Sequence, residues 1–213
     1  MAYKKSEQTK EKILLCAEKV FSAKGYYEAQ ISDIARLAKI AKGTIYQYFE
    51  SKEALFVFLI ERYVEEWERY VSLSLDDFLG DVNPQESAHK YLHHRIEKTM
   101  IFFSENQDRA NIVLRVGLGL RDDIESAIKI FENKIMEAII RDIKIGQRFG
   151  HISKNLNIEL AGNAILGGIL RISYFYFVLK QETFGFGNEV EFQVVSLHLS
   201  LMMVYPLIFL SRS

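Results

Sequence analysis

Between residues 31 and 52 the chain reads ISDIARLAKIAKGTIYQYFESK, and its apolar spacing changes phase in a way that no single helix accommodates. Ile34, Ala35 and Ala38 repeat on one helical face, Ile40 falls in a short turn, and Ile45, Tyr48 and Phe49 restart the period. The spacing predicts two short helices crossing steeply, a helix-turn-helix. Such a crossing leaves one flank of the second helix exposed, here Lys42, Gly43, Thr44, Tyr46 and Gln47, free to enter a DNA major groove.

Short amphipathic helix pairs also occur in helical proteins that never meet DNA. What separates the two readings is the residue types on the free flank. Lys42 and Lys52 can meet phosphate, Thr44, Tyr46 and Tyr48 can donate hydroxyl hydrogen bonds, and Gln47 can pair bidentately with adenine. Ser32, at the start of the preceding helix, joins this set of expected DNA contacts. Residues 1–52 carry ten Lys or Arg against six Asp or Glu, a balance of +4, which leaves −5 for residues 53–213 of a chain whose total is −1. A basic end on an acidic body suits a protein that presents one end to a polyanion, although an offset this small decides little alone.

The stretch FSAKGYYEAQISDIARLAKIAKGTIYQYFESKEALF resembles the amino-terminal pattern of TetR-type transcriptional regulators, through Phe21, Gly25, Tyr26, Ile31, Ile34, Ala35, Ala38, Lys42, Gly43, Ile45, Tyr46, Tyr48, Phe49, Lys52, Leu55 and Phe56. The resemblance covers about the first quarter of the chain. It implies an all-α fold in which residues 1–51 bind DNA and residues 52–213 form a larger helical domain that dimerises and binds a small effector. Two positions depart from the pattern: Lys39 stands where the family carries Gly in the turn, and Ala41 where it carries Ser or Thr at the start of the recognition helix. A non-Gly residue at positive φ carries strain of roughly 1 kcal/mol, and an Ala cap forfeits a similar amount. Gln30 replaces the usual Thr cap of the preceding helix, leaving Ser32 or Asp33 to serve its free amides.

Beyond the motif the periodicity predicts helices over 51 to about 75, 85–105, 106–118, 122–149, 158–180 and 188–210. The first of these starts beside the recognition helix, has half a capping box at Ser51, and is the expected lever between head and body. With 49% hydrophobic residues, 26% charged and only two Pro, the composition supports an ample core. The lone Cys16 shares the apolar face of Ile13, Ala17, Val20 and Phe21 and reads as a core residue. The amino-terminal MAYKKSEQTKEK lacks the apolar segment of a secretory signal, so the expected compartment is the cytoplasm.

The last two segments, AILGGILRISYFYFVL and VVSLHLSLMMVYPLIFL, are interrupted by Arg171, His198 and Pro206, which argues against insertion in a bilayer. A helix apolar nearly all round needs burial on two sides, and the economical partner is a second copy. The expected homodimer interface takes in Ala161, Ala164, Ile165, Gly168, Val195, Leu199, Met202 and Met203. An effector cavity, if lined by Met100, Phe103, Leu114, Arg115, Phe131, Met136, Arg171, Tyr174 and Phe177, would take a hydrophobic or aromatic ligand, although the same residues also suit an ordinary core. His89 and His93 have metal-ligand spacing, with His94 adjacent, but lack a matching carboxylate or Cys and read as solvated or capping residues. No cofactor, metal or catalytic motif is implied, and the reading is a regulator that binds a double-stranded DNA operator.

Overall fold

A computed structural model of the protein describes residues 2–72, 84–115, 122–148, 150 and 152–181, with side chains from residue 6 onward except at 84–93, 115 and 122–127. The described elements are helices: α1 (Ala2–Glu28), α2 (Ile31–Ala38), α3 (Lys42–Tyr46), α4 (Lys52–Val71), α5 (Pro84–Ser104), α6 (Gln107–Arg115), α7 (Asp122–Arg148) and α8 (Ile158–Ser173), the last running into a π-helical turn, Tyr174–Leu179. The predicted helix over 188–210 lies outside the described residues.

The head is a three-helix unit that borrows the first turns of α4. Ile13, Ala17, Ile34, Ile45 and Leu55 are buried together, and Phe56 meets Phe21 and Tyr26 edge-on at 5.1 and 5.0 Å. Phe56 belongs to α4, so the core of the head runs past the expected boundary at residue 51. The break between α1 and α2 depends on Gly25, whose φ of 73° and ψ of 168° place it in a region that side chains with a Cβ scarcely enter. Cys16 is half-buried against this core.

Helix α4 then carries Leu59, Ile60, Tyr63, Val64, Trp67 and Val71 into the body, where it packs on α5 and α7. Ser51 caps it by accepting from the Ala54 amide at 2.9 Å, the half capping box expected from the sequence. Trp67 donates its indole N–H to Thr99 at 3.1 Å on α5, and Phe102, Phe103 and Phe131 close the core around it. Between α7 and α8, Gly162 lets the backbones approach: a Cβ there would sit 2.9 Å from the Met136 sulfur. Residues Ile158–Leu179 make the one described helix long and apolar enough to cross a bilayer by length and composition, with a mean hydropathy of 1.3.

Candidate nucleic-acid interface

The turn between α2 and α3 is built as its residues dictate. Lys39 adopts φ 52° and ψ 47°, the left-handed conformation that the family pattern gives to Gly. It ends α2 with its amide on the Arg36 carbonyl at 3.2 Å, followed by the Ile40 amide on Ala35 at 3.0 Å. Ala41 caps α3 without any side-chain bond. Helix α3 is therefore short, and it is held by burial: Ile45 is wholly inside, and Phe49, just beyond the helix, is buried against Phe58 at 5.5 Å.

With Ile45 turned inward, Lys42, Gly43, Tyr46 and Gln47 are exposed and Thr44 is half-exposed. Tyr46 keeps 46% of its surface open, unusual for a large aromatic side chain, and the Lys42 ammonium lies 5.7 Å from its ring centre. A Cβ placed on Gly43 would meet nothing within 4 Å, so the protein's own packing does not demand glycine there. A ridge of cation, bare backbone, hydroxyl and amide thus faces outward, the combination that phosphates and base edges accept.

The remaining expected contacts are placed differently. Lys52 does not point outward with this ridge. Its ammonium donates to the carbonyls of Tyr26, Ala29 and Tyr27 at 2.7, 3.0 and 3.4 Å and lies 4.2 Å from the Tyr26 ring centre. It gathers the carbonyls that the Gly25 break leaves at the end of α1, and partial burial pulls its pKa below the usual lysine value. The Tyr48 hydroxyl lies 3.3 Å from that of Ser6 on α1, tying the end of the α3 region to the first helix. Ser32 is exposed and donates to the Gln30 side chain at 3.2 Å. At the start of α2, Asp33 serves the free Gln30 amide at 3.4 Å. The Lys24 hydrogen bond at 2.6 Å holds the Asp33 carboxyl below the usual carboxylate range, assisted by Gln30 and Arg36.

Residues 13–58 match the sequence profile of the bacterial regulatory proteins of the tetR family. Two relatives from Bacillus subtilis (strain 168) extend the similarity into the body. The fatty acid metabolism regulator protein is 27% identical over 161 residues, 74% of this chain and 77% of the relative. The HTH-type transcriptional regulator YdgC is 25% identical over 166 residues, 78% of this chain and 79% of the relative. Residues 13–58 thus carry a tetR-type DNA-binding domain, and the chain is a DNA-binding transcriptional regulator. Its fold is also that of the crystal structure of the transcriptional regulator FadR from Bacillus subtilis in complex with stearoyl-CoA, with a TM-score of 0.72 at 22% identity over 91% of this chain and 97% of that one.

In the body, the residues expected around an effector are placed as follows. Met100, Phe103, Phe131 and Phe177 are buried core side chains, and Leu114 is nearly so. Met136 packs on Gly162, Tyr174 is half-buried, and Arg171 is exposed with its guanidinium 5.8 Å from the Tyr174 ring centre. The Arg115 side chain lies outside those described. None of these residues lines the cavity of about 370 Å³ that opens between α4, α5 and α7, which is walled by Trp67, Val71, Ala138, Ile145, Arg95 and Arg141 among others. Arg95, one of these lining residues, pairs with Asp142 at 2.7 Å, and the Asp142 side chain is 1% exposed. Sequence reasoning missed Arg95 and Asp142 because a charge on a mostly polar helix face carries no sign that a facing helix will bury it.

The dimer set is likewise divided. Ala161 and Ile165 are buried within their own chain. Ala164 is exposed and Gly168 half-exposed, on a face of α8 that continues through Leu160, Phe175 and Leu179, which are 70%, 41% and 55% exposed. Val195, Leu199, Met202 and Met203 lie outside the described residues, as do the side chains of His89 and His93. Among the described residues no group of three or more His, Cys, Asp or Glu is placed to hold a metal ion.

Proposed function

We propose that the protein is a homodimeric repressor that holds a palindromic operator and releases it when a small apolar effector binds the body. The observation that carries this reading is the outward ridge of α3, in which Lys42, Gly43, Tyr46 and Gln47 stand free while Ile45 anchors the helix. One such ridge contacts few base pairs, and two related by a twofold axis about 34 Å apart would read successive turns of the duplex. The apolar face through Leu160, Ala164, Phe175 and Leu179 supports pairing of two copies.

A regulator of the same fold was captured with stearoyl-CoA, and this makes long-chain acyl thioesters the effector class to test first. The cavity beside Trp67 and Val71, walled by Arg95, Lys134 and Arg141 together with Glu68 and Glu137, is the space we assign to such a ligand. The effector must bind the non-binding arrangement of the heads more tightly than the operator-competent one, since equal affinity shifts nothing. Selection of bound sequences from a random duplex pool, followed by titration of the selected operator complex with stearoyl-CoA, tests the reading. One enriched palindrome and its release by the thioester are expected. Failure to enrich any sequence would refute operator recognition, and a complex indifferent to acyl thioesters would refute the effector class.

A further inference from the structure

Head and body are joined by more than the continuity of α4. Arg62, in the middle of α4, holds both oxygens of Glu11 on α1 at 2.7 and 2.8 Å and Glu66 on its own helix at 2.9 Å. The Glu11 hydrogen bond is the leading reason that the Arg62 guanidinium is held above its usual pKa. The other Glu66 oxygen takes Arg109 of α6 at 2.7 Å. The Arg109 guanidinium in turn lies 4.4 Å from the Phe102 ring centre and 4.9 Å from that of Tyr63. Four alternating charges therefore run Glu11, Arg62, Glu66, Arg109 from the head, across the lever helix, into the body.

Helix α6 makes a second tie to the head. Asn106 accepts from the Arg109 amide at 2.9 Å, capping α6, while its side-chain amide donates to Glu18 of α1 at 2.8 Å. One side chain thus starts a body helix and grips a head helix, so tilting α1 relative to α6 breaks the grip or the cap. Asn111 adds a bond to Ser22 at 3.2 Å. On its other side α6 is held by Gln107, which donates to the Phe177 carbonyl in the π-helical turn. A single short helix therefore touches the head, the lever and the end of α8.

We infer that Arg109 and Glu66 are positioning residues for DNA binding: with Asn106 they clasp α1 to α6, fix the angle between reading head and body, and pass movement of the α8 end to the head. The inference rests on the operator reading above for its consequence, though not for its geometry. An isolated surface ion pair contributes little. This one is part of a chain whose members lie on three helices, the Arg109 and Glu66 side chains are 15% and 23% exposed, and the planar fork of Arg109 is held against two rings. Such a geometry restricts orientation more than it raises stability.

The test uses the full-length chain in a Cys16→Ser background with spin labels at Glu28→Cys in the head and Lys144→Cys in the body. Dilution with unlabelled chains removes partner distances. The parent should give one narrow head-to-body distance distribution. Arg109→Gln and Glu66→Gln should each widen it at least twofold and weaken binding of the selected operator about tenfold, while Arg109→Lys should restore neither. Ile143→Val, a core change on α7 that lowers melting temperature without touching the clasp, should leave width and affinity unchanged. If both Gln variants fold and keep the parent's distribution, the clasp is refuted. If the parent enriches no duplex at all, operator recognition fails, and the distance distributions still decide the clasp.

Discussion

Gly43→Ala separates what the fold needs from what a duplex needs. Gly43 lies inside α3 at an ordinary helical φ, and a Cβ there would meet no atom within 4 Å. Replacing glycine by alanine in a helix removes backbone freedom from the unfolded chain and is favourable by roughly 0.5–1 kcal/mol. For a chain of this size that corresponds to a rise in melting temperature of roughly 1–4 °C. The same methyl group would stand on the ridge between Lys42 and Tyr46, where the duplex must come closest. Pushing the backbone away there would forfeit one or two phosphate hydrogen bonds worth roughly 1 kcal/mol each, a loss of roughly 5- to 30-fold in operator affinity. Differential scanning calorimetry and fluorescence anisotropy on the same preparation give both quantities. A variant that melts higher yet binds the operator as tightly as the parent would refute the claim that the bare backbone of Gly43 faces DNA. A variant that melts lower would refute the open space around it.

The two lysines of the motif should part company. Lys52→Met, which removes three bonds to the carbonyls at the end of α1, should cost about 2–3 kcal/mol of stability and leave the salt slope of DNA binding unchanged, as read by urea denaturation and by anisotropy across a salt series. Lys42→Ala should leave stability nearly untouched, weaken binding to all duplexes, and reduce the salt slope by about 1. Asp33 has its pKa lowered by Lys24, so its contribution is present above the unfolded carboxylate pKa and is lost as pH falls through the lower folded value. The stability difference between parent and Asp33→Asn should accordingly be visible at neutral pH and vanish toward acid in pH-dependent urea melts; a difference that persists at low pH would contradict the charge argument.

The head was legible because its signals are local. The phase change at Ile40, the residues that turn inward at Ile34, Ala38 and Ile45, the strained turn at Lys39 and the uncapped start at Ala41 all follow from neighbours within a few positions. Lys52 escaped that logic because its partners lie more than twenty residues earlier, at carbonyls exposed by a glycine break whose consequence is tertiary. The described helices of the body could be placed to within a few residues by period and caps, save that 158–180 ends in a π-helical turn that apolar spacing does not encode. What the helices enclose was not legible. Aromatic residues such as Phe103 and Phe131 fill the core whether or not a ligand binds nearby, and the cavity is walled instead by charged residues, Arg95 and Arg141, brought together by helices far apart in sequence. Likewise, nothing in the spacing of Glu11, Arg62, Glu66 and Arg109 announces a chain of ion pairs across three helices.

The most direct measurement is a competition between the selected palindrome and a scrambled duplex of equal length and composition, for the parent chain and for Tyr46→Ala. The parent should prefer the palindrome by about 10³-fold or more, and Tyr46→Ala should lose most of that preference while its affinity for the scrambled duplex stays close to the parent's. Equal binding of both duplexes by the parent, or an undiminished preference in Tyr46→Ala, would contradict recognition through the outward face of α3.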